Sequence, residues 1–99
     1  MYKIAIVPDA LKELKDVPAF YRRLIMVAIE KQLAHEPSKA TRNRKRLDPL
    51  VTGFEYEPPL WELRVQDWRV FYDVDDEERL VLVRAIRKKP AGTTTEEIV

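Results

Sequence analysis

The sequence predicts an α+β fold in which an N-terminal strand precedes two helices and three consecutive strands. Apolar residues recur at helical spacing over residues 18–34, whereas apolar and polar residues alternate one by one over residues 60–74. The order β-α-α-β-β-β predicts a helical hairpin packed on one face of a largely antiparallel four-stranded sheet. With 99 residues, 45% of them hydrophobic, the chain is expected to form a single domain over residues 1–99.

The composition excludes several classes of function. The chain has no cysteine, which excludes disulfide frameworks, zinc knuckles, iron–sulfur clusters and thiol catalysis. With glycines only at positions 53 and 92 there is neither a P-loop nor a dinucleotide-binding motif, and the acidic residues 75–78 lack the spacing of a calcium loop. We therefore expect no metal and no cofactor. No apolar run approaches the ~20 residues of a membrane span, and the N-terminus carries acids where a signal peptide is apolar, so we expect a cytoplasmic protein without a membrane partner.

The N-terminal part is predicted to contain one strand and two helices. A strand over residues 2–7 stops at Pro8, and Asp9 is a candidate N-cap for a short helix over residues 11–15. Asp16 is the candidate cap of a second helix over residues 18–34. This helix carries a broad apolar stripe, which predicts packing between the sheet and the neighbouring helix; its members are Phe20, Tyr21, Leu24, Ile25, Ala28 and Ile29.

The C-terminal part is predicted to form a meander of three strands. Residues 36–49 have no apolar period and are interpreted as a loop, and residues 54–57 as a possible short strand. Strands follow over residues 60–65, 68–74 and 80–87, connected by a hairpin turn at Gln66-Asp67 and by the charged turn 75–78. Thr95 is a candidate cap for a short terminal helix.

The alternation assigns side chains to the two faces of the sheet. Trp61, Leu63, Val70 and Tyr72 are expected to form one core with Leu24, Ile25 and Ile29. The opposite face is expected to be partly open and to present Glu62, Arg64, Arg69, Phe71, Val83 and Arg87. Arginines beside an aromatic ring on an uncovered sheet suit single-stranded nucleic acid. The alternative is that these arginines pair with Glu62 and Asp73 on neighbouring strands.

Basic residues are concentrated in two segments of an almost neutral chain. The net charge is +1, yet residues 36–47 carry five basic side chains against one acidic, and residues 84–89 carry four basic and no acidic ones. Such clusters form either a local anion-binding surface or two solvated loops. His35 is the only histidine, which excludes a catalytic triad elsewhere in the chain; at a helix end it would interact with the last carbonyls.

Three segments resemble the RelE/ParE superfamily of bacterial toxins: LWELRV at 60–65, DWRVFYDV at 67–74 and the basic TRNRKRL at 41–47. The resemblance covers nearly the whole chain and favours the RelE-like branch. It implies a toxin of a type II toxin–antitoxin system, neutralised by an antitoxin encoded by an adjacent gene. RelE-type members are ribosome-dependent endoribonucleases that cut mRNA without a metal, by attack of the 2′-hydroxyl on the adjacent phosphate. ParE-type members inhibit DNA gyrase instead.

The resemblance also implies which residues act. Arg69 matches the arginine that contacts the scissile phosphate, and the basic segments before the second strand and after the last one match phosphate-binding regions. The expected catalytic residues are Arg69, Arg87, Lys45 and Lys89, and the expected RNA- or phosphate-binding residues are Arg42, Arg44, Arg46, Arg64 and Lys88. Arg69, Arg87 and the segment 42–46 are expected to converge on one concavity.

The sequence departs from the best-known RelE branch in ways that keep two alternatives open. The two lysines of that branch fall at Leu60 and Glu62 here, residues 90–99 contain no tyrosine, and no histidine lies near the C-terminus. No dedicated general base is visible. The alternatives to a ribosome-dependent nuclease are therefore a ParE-like inhibitor of gyrase and a catalytically decayed homologue that binds the antitoxin.

Overall fold

The computed structural model describes all of residues 1–99, which form five strands and three helices. The elements in chain order are β1 (Lys3–Ile6), α1 (Pro8–Asp16), α2 (Ala19–Leu33), β2 (Arg44–Arg46), β3 (Trp61–Val65), β4 (Trp68–Asp75), β5 (Leu80–Lys88) and α3 (Thr95–Ile98). The strands form one sheet in the order β1-β5-β4-β3-β2. β1 runs parallel to β5 because the helical hairpin carries the chain back across the sheet, and all other pairs are antiparallel.

The α+β architecture is confirmed, with one more strand than the four predicted. The additional strand β2 lies inside the predicted loop 36–49 and pairs antiparallel with β3, with Lys45 opposite Glu62. Three consecutive basic residues carry no apolar alternation, so the pattern could not reveal a short edge strand. The possible strand at residues 54–57 is absent, and that segment packs without regular structure.

Both N-terminal helices are present, with different first residues from those predicted. α1 begins at Pro8, whose missing N–H suits the first turn, so Asp9 lies within that turn and Val7 takes the cap position. Pro18, not Asp16, precedes α2. The buried residues of α2 are Ile25, Ile29 and Leu33, while Phe20 at its N-terminus is 69% exposed, so the prediction of a helix covered along its whole stripe is wrong there. No helix has the length and apolar character needed to cross a membrane.

The helix-facing side of the sheet contains the main core, as predicted. One cluster of 14 buried residues includes Ile25 and Ile29 from α2 and Trp61, Leu63, Val70 and Tyr72 from the sheet, and Leu24 packs against it. The Trp61 and Tyr72 rings stack with their centroids 6.3 Å apart. The alternation of β3 and β4 therefore identified this face correctly.

A β-bulge in β5 changes which residues face the helices. Phe71 pairs with Ala85 but Tyr72 pairs with Val83, so Arg84 is an extra residue without a partner position. Past this point the side-chain alternation of β5 is reversed, and Val83 joins the main core. The expectation that Val83 lies on the open face is therefore wrong. The run of four apolar residues at 80–83 gave no sign of this change, because it has no alternation.

The outer face of the sheet is covered, which corrects the prediction of an open surface. Leu60, Phe71 and Ala85 are buried there beneath partly buried residues of segment 47–56 and of the C-terminus. Two hydrogen bonds from backbone N–H groups anchor this cover: Glu57 N–H donates to the side-chain Oδ2 of Asp73 at 2.9 Å, and Gly53 N–H donates to Val99 O at 3.1 Å. Phe71 and Glu62, expected to be exposed, are thus buried.

Candidate functional site: a basic hollow at the end of the sheet

A hollow of about 260 Å³ opens on the outer face, where β2, β3 and β4 lie side by side. We call it the basic hollow; its lining residues are Arg42, Asn43, Arg44, Lys45, Glu62, Arg64, Arg69, Lys89 and Thr95. Strand register explains the assembly, because Lys45 lies opposite Glu62 and Arg64 lies opposite Arg69. Lys89, directly after β5, and Thr95, at the start of α3, complete the wall.

Glu62 is a buried carboxylate among the cations of this hollow. Its side chain is only 6% exposed, and Oε2 accepts a hydrogen bond of 2.8 Å from the Thr95 hydroxyl. Oε1 lies 3.7 Å from Lys45 Nζ and 4.0 Å from Arg69 Nε, which are long distances for ion pairs. The lining thus contains six cationic side chains and one carboxylate, and only two of the cations approach that carboxylate. The excess of positive charge gives the hollow a positive potential, which favours anions over cations.

Arg69 is a largely enclosed cation of the hollow. Its side chain is 12% exposed, and Nη1 donates to the carbonyl oxygens of Gln66 at 2.7 Å and Trp68 at 2.9 Å, so the hairpin turn fixes the guanidinium. Burial lowers the pKa of Arg69, and the neighbouring Arg64 acts in the same direction against the opposite effect of Glu62. An anion bound here would stabilise the positive charge of Arg69, which Glu62 compensates only in part because it is 4.0 Å away.

The other cations of the hollow differ in whether their side chains have polar partners within the protein. The side chains of Arg42, Arg64 and Lys89 make no hydrogen bond or ion pair, and Lys45 is 63% exposed. Arg44, by contrast, has two partners: its Nη1 donates to the carbonyl oxygens of Gln32 at 2.5 Å and Glu36 at 2.7 Å. These carbonyls lie at and just after the end of α2, where a positive charge is favourable. Arg44 therefore ties β2 to the helical hairpin.

Three predicted site residues lie outside the basic hollow, so the predicted convergence is only partly correct. Arg87 Nε is 2.5 Å from Glu13 Oε2, and Arg87 Nη1 donates to Ile98 O at 2.9 Å. Its guanidinium also lies 5.5 Å from the centre of the Phe54 ring. Arg87 thus holds the C-terminus against the outer face. Lys88 is exposed at the end of β5, and Arg46 lines a neighbouring hollow.

Sequence reasoning missed the contribution of Thr95, and it named Glu62 as a cross-strand partner of the arginines, a pairing that the Arg69–Glu62 contact confirms, but expected it to be exposed. Alternation did place Glu62 on the same face as Arg64, which was the available signal. Nothing in the sequence indicated that residues 90–99 fold back over this face, because the contact depends on tertiary bonds to Glu62, Arg87 and Gly53. The C-terminal segment is therefore the part of the site that only the structure reveals.

Comparison with known proteins identifies the family. The family model described as "ParE toxin of type II toxin-antitoxin system, parDE" matches residues 4–89. A search of the curated proteins gave no significant match.

Solved structures with the same fold are RelE proteins. The archaeal RelE–RelB complex from Pyrococcus horikoshii OT3 aligns with a TM-score of 0.69 at 23% identity, covering 94% of this chain and 98% of that chain. The isolated E. coli RelE toxin aligns with a TM-score of 0.68 at 19% identity, covering 98% and 94% respectively. The toxin–antitoxin complex RelBE2 from Mycobacterium tuberculosis gives 0.67 at 21% identity, covering 89% and 98%.

At these identities the structural likeness establishes the fold, while the family match extends over most of the chain. The two results agree with the strand and basic-segment motifs read from the sequence. The chain therefore belongs to the ParE toxins of type II toxin–antitoxin systems, within the RelE/ParE superfamily.

Proposed function

We propose that this toxin inhibits translation by cutting mRNA on the ribosome, as an endoribonuclease that needs no metal. The observation that carries the proposal is the basic hollow, where six cationic side chains from three strands and two flanking segments surround one small cavity. Preorganised positive charge at the point where negative charge develops is a large contribution to phosphoryl-transfer catalysis. A backbone phosphate of single-stranded RNA is the anion that this arrangement suits.

The proposed reaction is an attack of the 2′-oxygen on the adjacent phosphorus. The bond from phosphorus to the 5′-oxygen breaks, leaving a 2′,3′-cyclic phosphate on one fragment and a 5′-hydroxyl on the other. The 2′-hydroxyl proton passes to water, and Lys89 donates a proton to the departing 5′-oxygen. Arg69 and Lys45 stabilise the charge that accumulates on the phosphate oxygens in the transition state.

The remaining predicted site residues take other roles in the proposal. Arg42 and Arg64, whose side chains are free, bind the phosphates on either side of the cleaved one, with Arg46 and Lys88 further along the RNA. Arg44 positions β2 through its bonds to α2. Arg87 positions the C-terminal segment and does not contact the reacting phosphate.

The experiment that tests this proposal is primer extension on cellular mRNA after a short pulse of expression. We expect discrete cuts inside translated reading frames, and a loss of those cuts with Arg69→Ala. Arg23→Ala removes an exposed charge from α2 and serves as the matched control, with unchanged cutting. Intact mRNA in cells that stop growing would contradict the nuclease.

A second candidate function is inhibition of DNA gyrase, which the match to a ParE family model favours. The lining of the basic hollow supports it too, because it contains neither a histidine nor a tyrosine as a general base. A supercoiling assay with purified gyrase distinguishes the two functions. Relaxed plasmid together with uncut mRNA would assign the protein to the gyrase inhibitors.

We also propose that an antitoxin encoded by an adjacent gene binds this toxin; the P. horikoshii relative was solved as a complex with RelB. The helical hairpin leaves large apolar side chains exposed, namely Leu11, Phe20, Tyr21 and Val27. A partner helix that buries them would supply apolar anchors, while charge would mainly speed association. Co-expression with the adjacent reading frame should restore growth, and the purified pair should survive high salt. A pair that separates at about 0.5 M salt would assign the affinity to the basic surface instead.

A further inference from the structure

Glu62 is the one acidic residue in the lining of the basic hollow, and its carboxylate lies beside the cations that a phosphate would use. Its side chain is only 6% exposed, and the two cations nearest to it are Lys45 and Arg69. The proposed function assigns the same two cations to the reacting phosphate. A carboxylate and a phosphate accept hydrogen bonds from the same donors, so they compete for them. The hollow therefore contains its own competitor for RNA.

The distances show that neither cation binds this carboxylate closely. Glu62 Oε1 lies 3.7 Å from Lys45 Nζ and 4.0 Å from Arg69 Nε, whereas an N–H···O bond between charged groups measures about 2.7–2.9 Å. Arg69 makes its hydrogen bonds to Gln66 and Trp68 through Nη1, and its Nε donates none. A shift of the carboxylate by about 1 Å would complete a bond to Arg69 Nε.

The hydroxyl of Thr95 holds the carboxylate of Glu62 in this position. It donates to Oε2 at 2.8 Å, and this is the only hydrogen bond that the Glu62 side chain makes. Thr95 is fixed in turn by the anchored C-terminus, where Arg87 Nη1 donates to Ile98 O at 2.9 Å. Leaving a buried carboxylate without a donor is costly, so a Glu62 that loses Thr95 has to take its next nearest donors.

We propose that Thr95 is a positioning residue that keeps the basic hollow available to RNA phosphate, by holding Glu62 away from Arg69 and Lys45. Without the Thr95 hydroxyl, Glu62 binds the Nε–H of Arg69 and neutralises the cation that the phosphate needs. The C-terminal segment thus contributes to the site by controlling charge, without a contact between Thr95 and RNA. This role rests on the proposed function, since it concerns the same hollow and the same ligand.

The first test measures binding of single-stranded oligouridylate to the purified full-length toxin at several salt concentrations. Thr95→Val removes the hydroxyl and keeps the shape of the side chain. It should weaken binding about tenfold or more, the value of one hydrogen bond to a charged group. The slope of log affinity against log salt concentration should fall in magnitude by about 0.7, because one cation fewer reaches a phosphate.

Three further variants separate positioning from a loss of folding. Thr95→Ser keeps a hydroxyl and should restore the wild-type affinity and slope. Thr94→Val is the matched control, because Thr94 is exposed and its side chain makes no hydrogen bond. The double variant Thr95→Val/Glu62→Gln should bind RNA at least as tightly as the wild type, because the competing charge is gone. A purely structural role of Thr95 would leave the double variant as weak as Thr95→Val.

The second test needs no RNA and follows the Nε–H signal of Arg69 by NMR. Its hydrogen exchange should slow in Thr95→Val, because the Nε–H gains the carboxylate of Glu62 as an acceptor, and should return to the wild-type rate in the double variant. An unchanged exchange rate or an unchanged RNA affinity in Thr95→Val would overturn the inference, even in a toxin that cuts mRNA. Both effects in a toxin that leaves mRNA uncut would retain the inference and refute the nuclease.

Discussion

The two faces of the sheet are built by different means. The helix-facing side has 14 buried apolar residues, all but Val17 in helices or strands, whereas the outer side has three buried apolar residues beneath irregular segments. Regular elements pack closely against one another in the main core. Irregular segments bridge the strands at intervals, and the two hollows lie in the gaps between them. One face therefore supplies stability, and the other supplies the candidate site.

The two buried carboxylates of the outer face, Asp73 and Glu62, differ in how closely they are paired with cations. Asp73 is held firmly: Oδ2 accepts from Arg84 Nε at 2.7 Å and from the Glu57 N–H at 2.9 Å. Glu62 is only loosely paired, with cations at 3.7 and 4.0 Å. A saturated ion pair has no capacity left for a ligand. The loose pairing of Glu62 leaves Lys45 and Arg69 available to a ligand, whereas the Asp73–Arg84 pair has a structural role.

Substitutions on the helix-facing side of the sheet should cause the largest losses of unfolding free energy. Ile25→Ala should lower the free energy of unfolding by about 2–5 kcal/mol, because Ile25 is fully buried in the main core. Val27→Ala, two residues along α2 and 42% exposed, should change it by about 0.5 kcal/mol or less. Urea unfolding of both variants measures the difference. Equal losses would mean that α2 faces the sheet differently.

The two outer-face carboxylates should respond differently to neutral substitution. Asp73→Asn removes the charge that Arg84 and the Glu57 N–H share, and should cost about 1.5–3 kcal/mol of unfolding free energy. Glu62→Gln should cost less than about 1 kcal/mol, since its ion pairs are long and Lys45 is solvated.

Glu62→Gln should also raise the affinity for single-stranded RNA, because a competing negative charge leaves the basic hollow. Denaturant unfolding and RNA titration on the same two variants provide the check. A Glu62→Gln protein that is as unstable as Asp73→Asn would remove the distinction between the pairs.

The predictable part of the fold is the part made of periodic sequence. The spacing of Ile25 and Ile29 and the alternation of Trp61 and Leu63 identified the main core, because burial on one face imposes a period on the sequence. The bulge at Arg84 was not predictable, since an apolar run hides a change of phase. β2 was missed because three basic residues carry no apolar alternation; the strand is held by backbone pairing with β3 and by the hydrogen bonds of Arg44 to the end of α2.

The candidate site was predictable only in its strand residues. Register and alternation bring Arg64, Arg69 and Glu62 together, and the basic segment before β3 supplies Lys45. The position of Arg87 was predicted wrongly, because its side chain has better partners in Glu13 and the Ile98 carbonyl. Sequence patterns indicate which residues share a face, but competition among partners decides where a long side chain points.

Tyr72, in the main core, should make a smaller contribution to the free energy of unfolding, and this contribution should depend on pH. Its hydroxyl donates to Pro37 O at 2.7 Å inside the main core, and burial raises the pKa of Tyr72 above its ordinary value near 10. Above that value the unfolded chain loses the proton while the folded chain keeps it, so stability falls as pH rises. Tyr72→Phe should cost about 1 kcal/mol at pH 7 through the lost hydrogen bond.

That deficit of Tyr72→Phe should shrink in urea unfolding experiments above roughly pH 10, because phenylalanine has no proton to lose. A deficit of constant size between neutral and alkaline pH would show that Tyr72 ionises equally in both states.

The salt dependence of single-stranded RNA binding to Arg64→Ala tests most directly whether the outer face binds RNA phosphate in the basic hollow. Arg64 is exposed and its side chain makes no hydrogen bond or ion pair, so its loss leaves the fold intact. The slope of log affinity against log salt concentration should fall in magnitude by about 0.7, the contribution of one phosphate contact. Arg23→Ala, on the helical hairpin, should keep the wild-type slope. Equal slopes for the wild type and Arg64→Ala would contradict the assignment of the hollow to RNA.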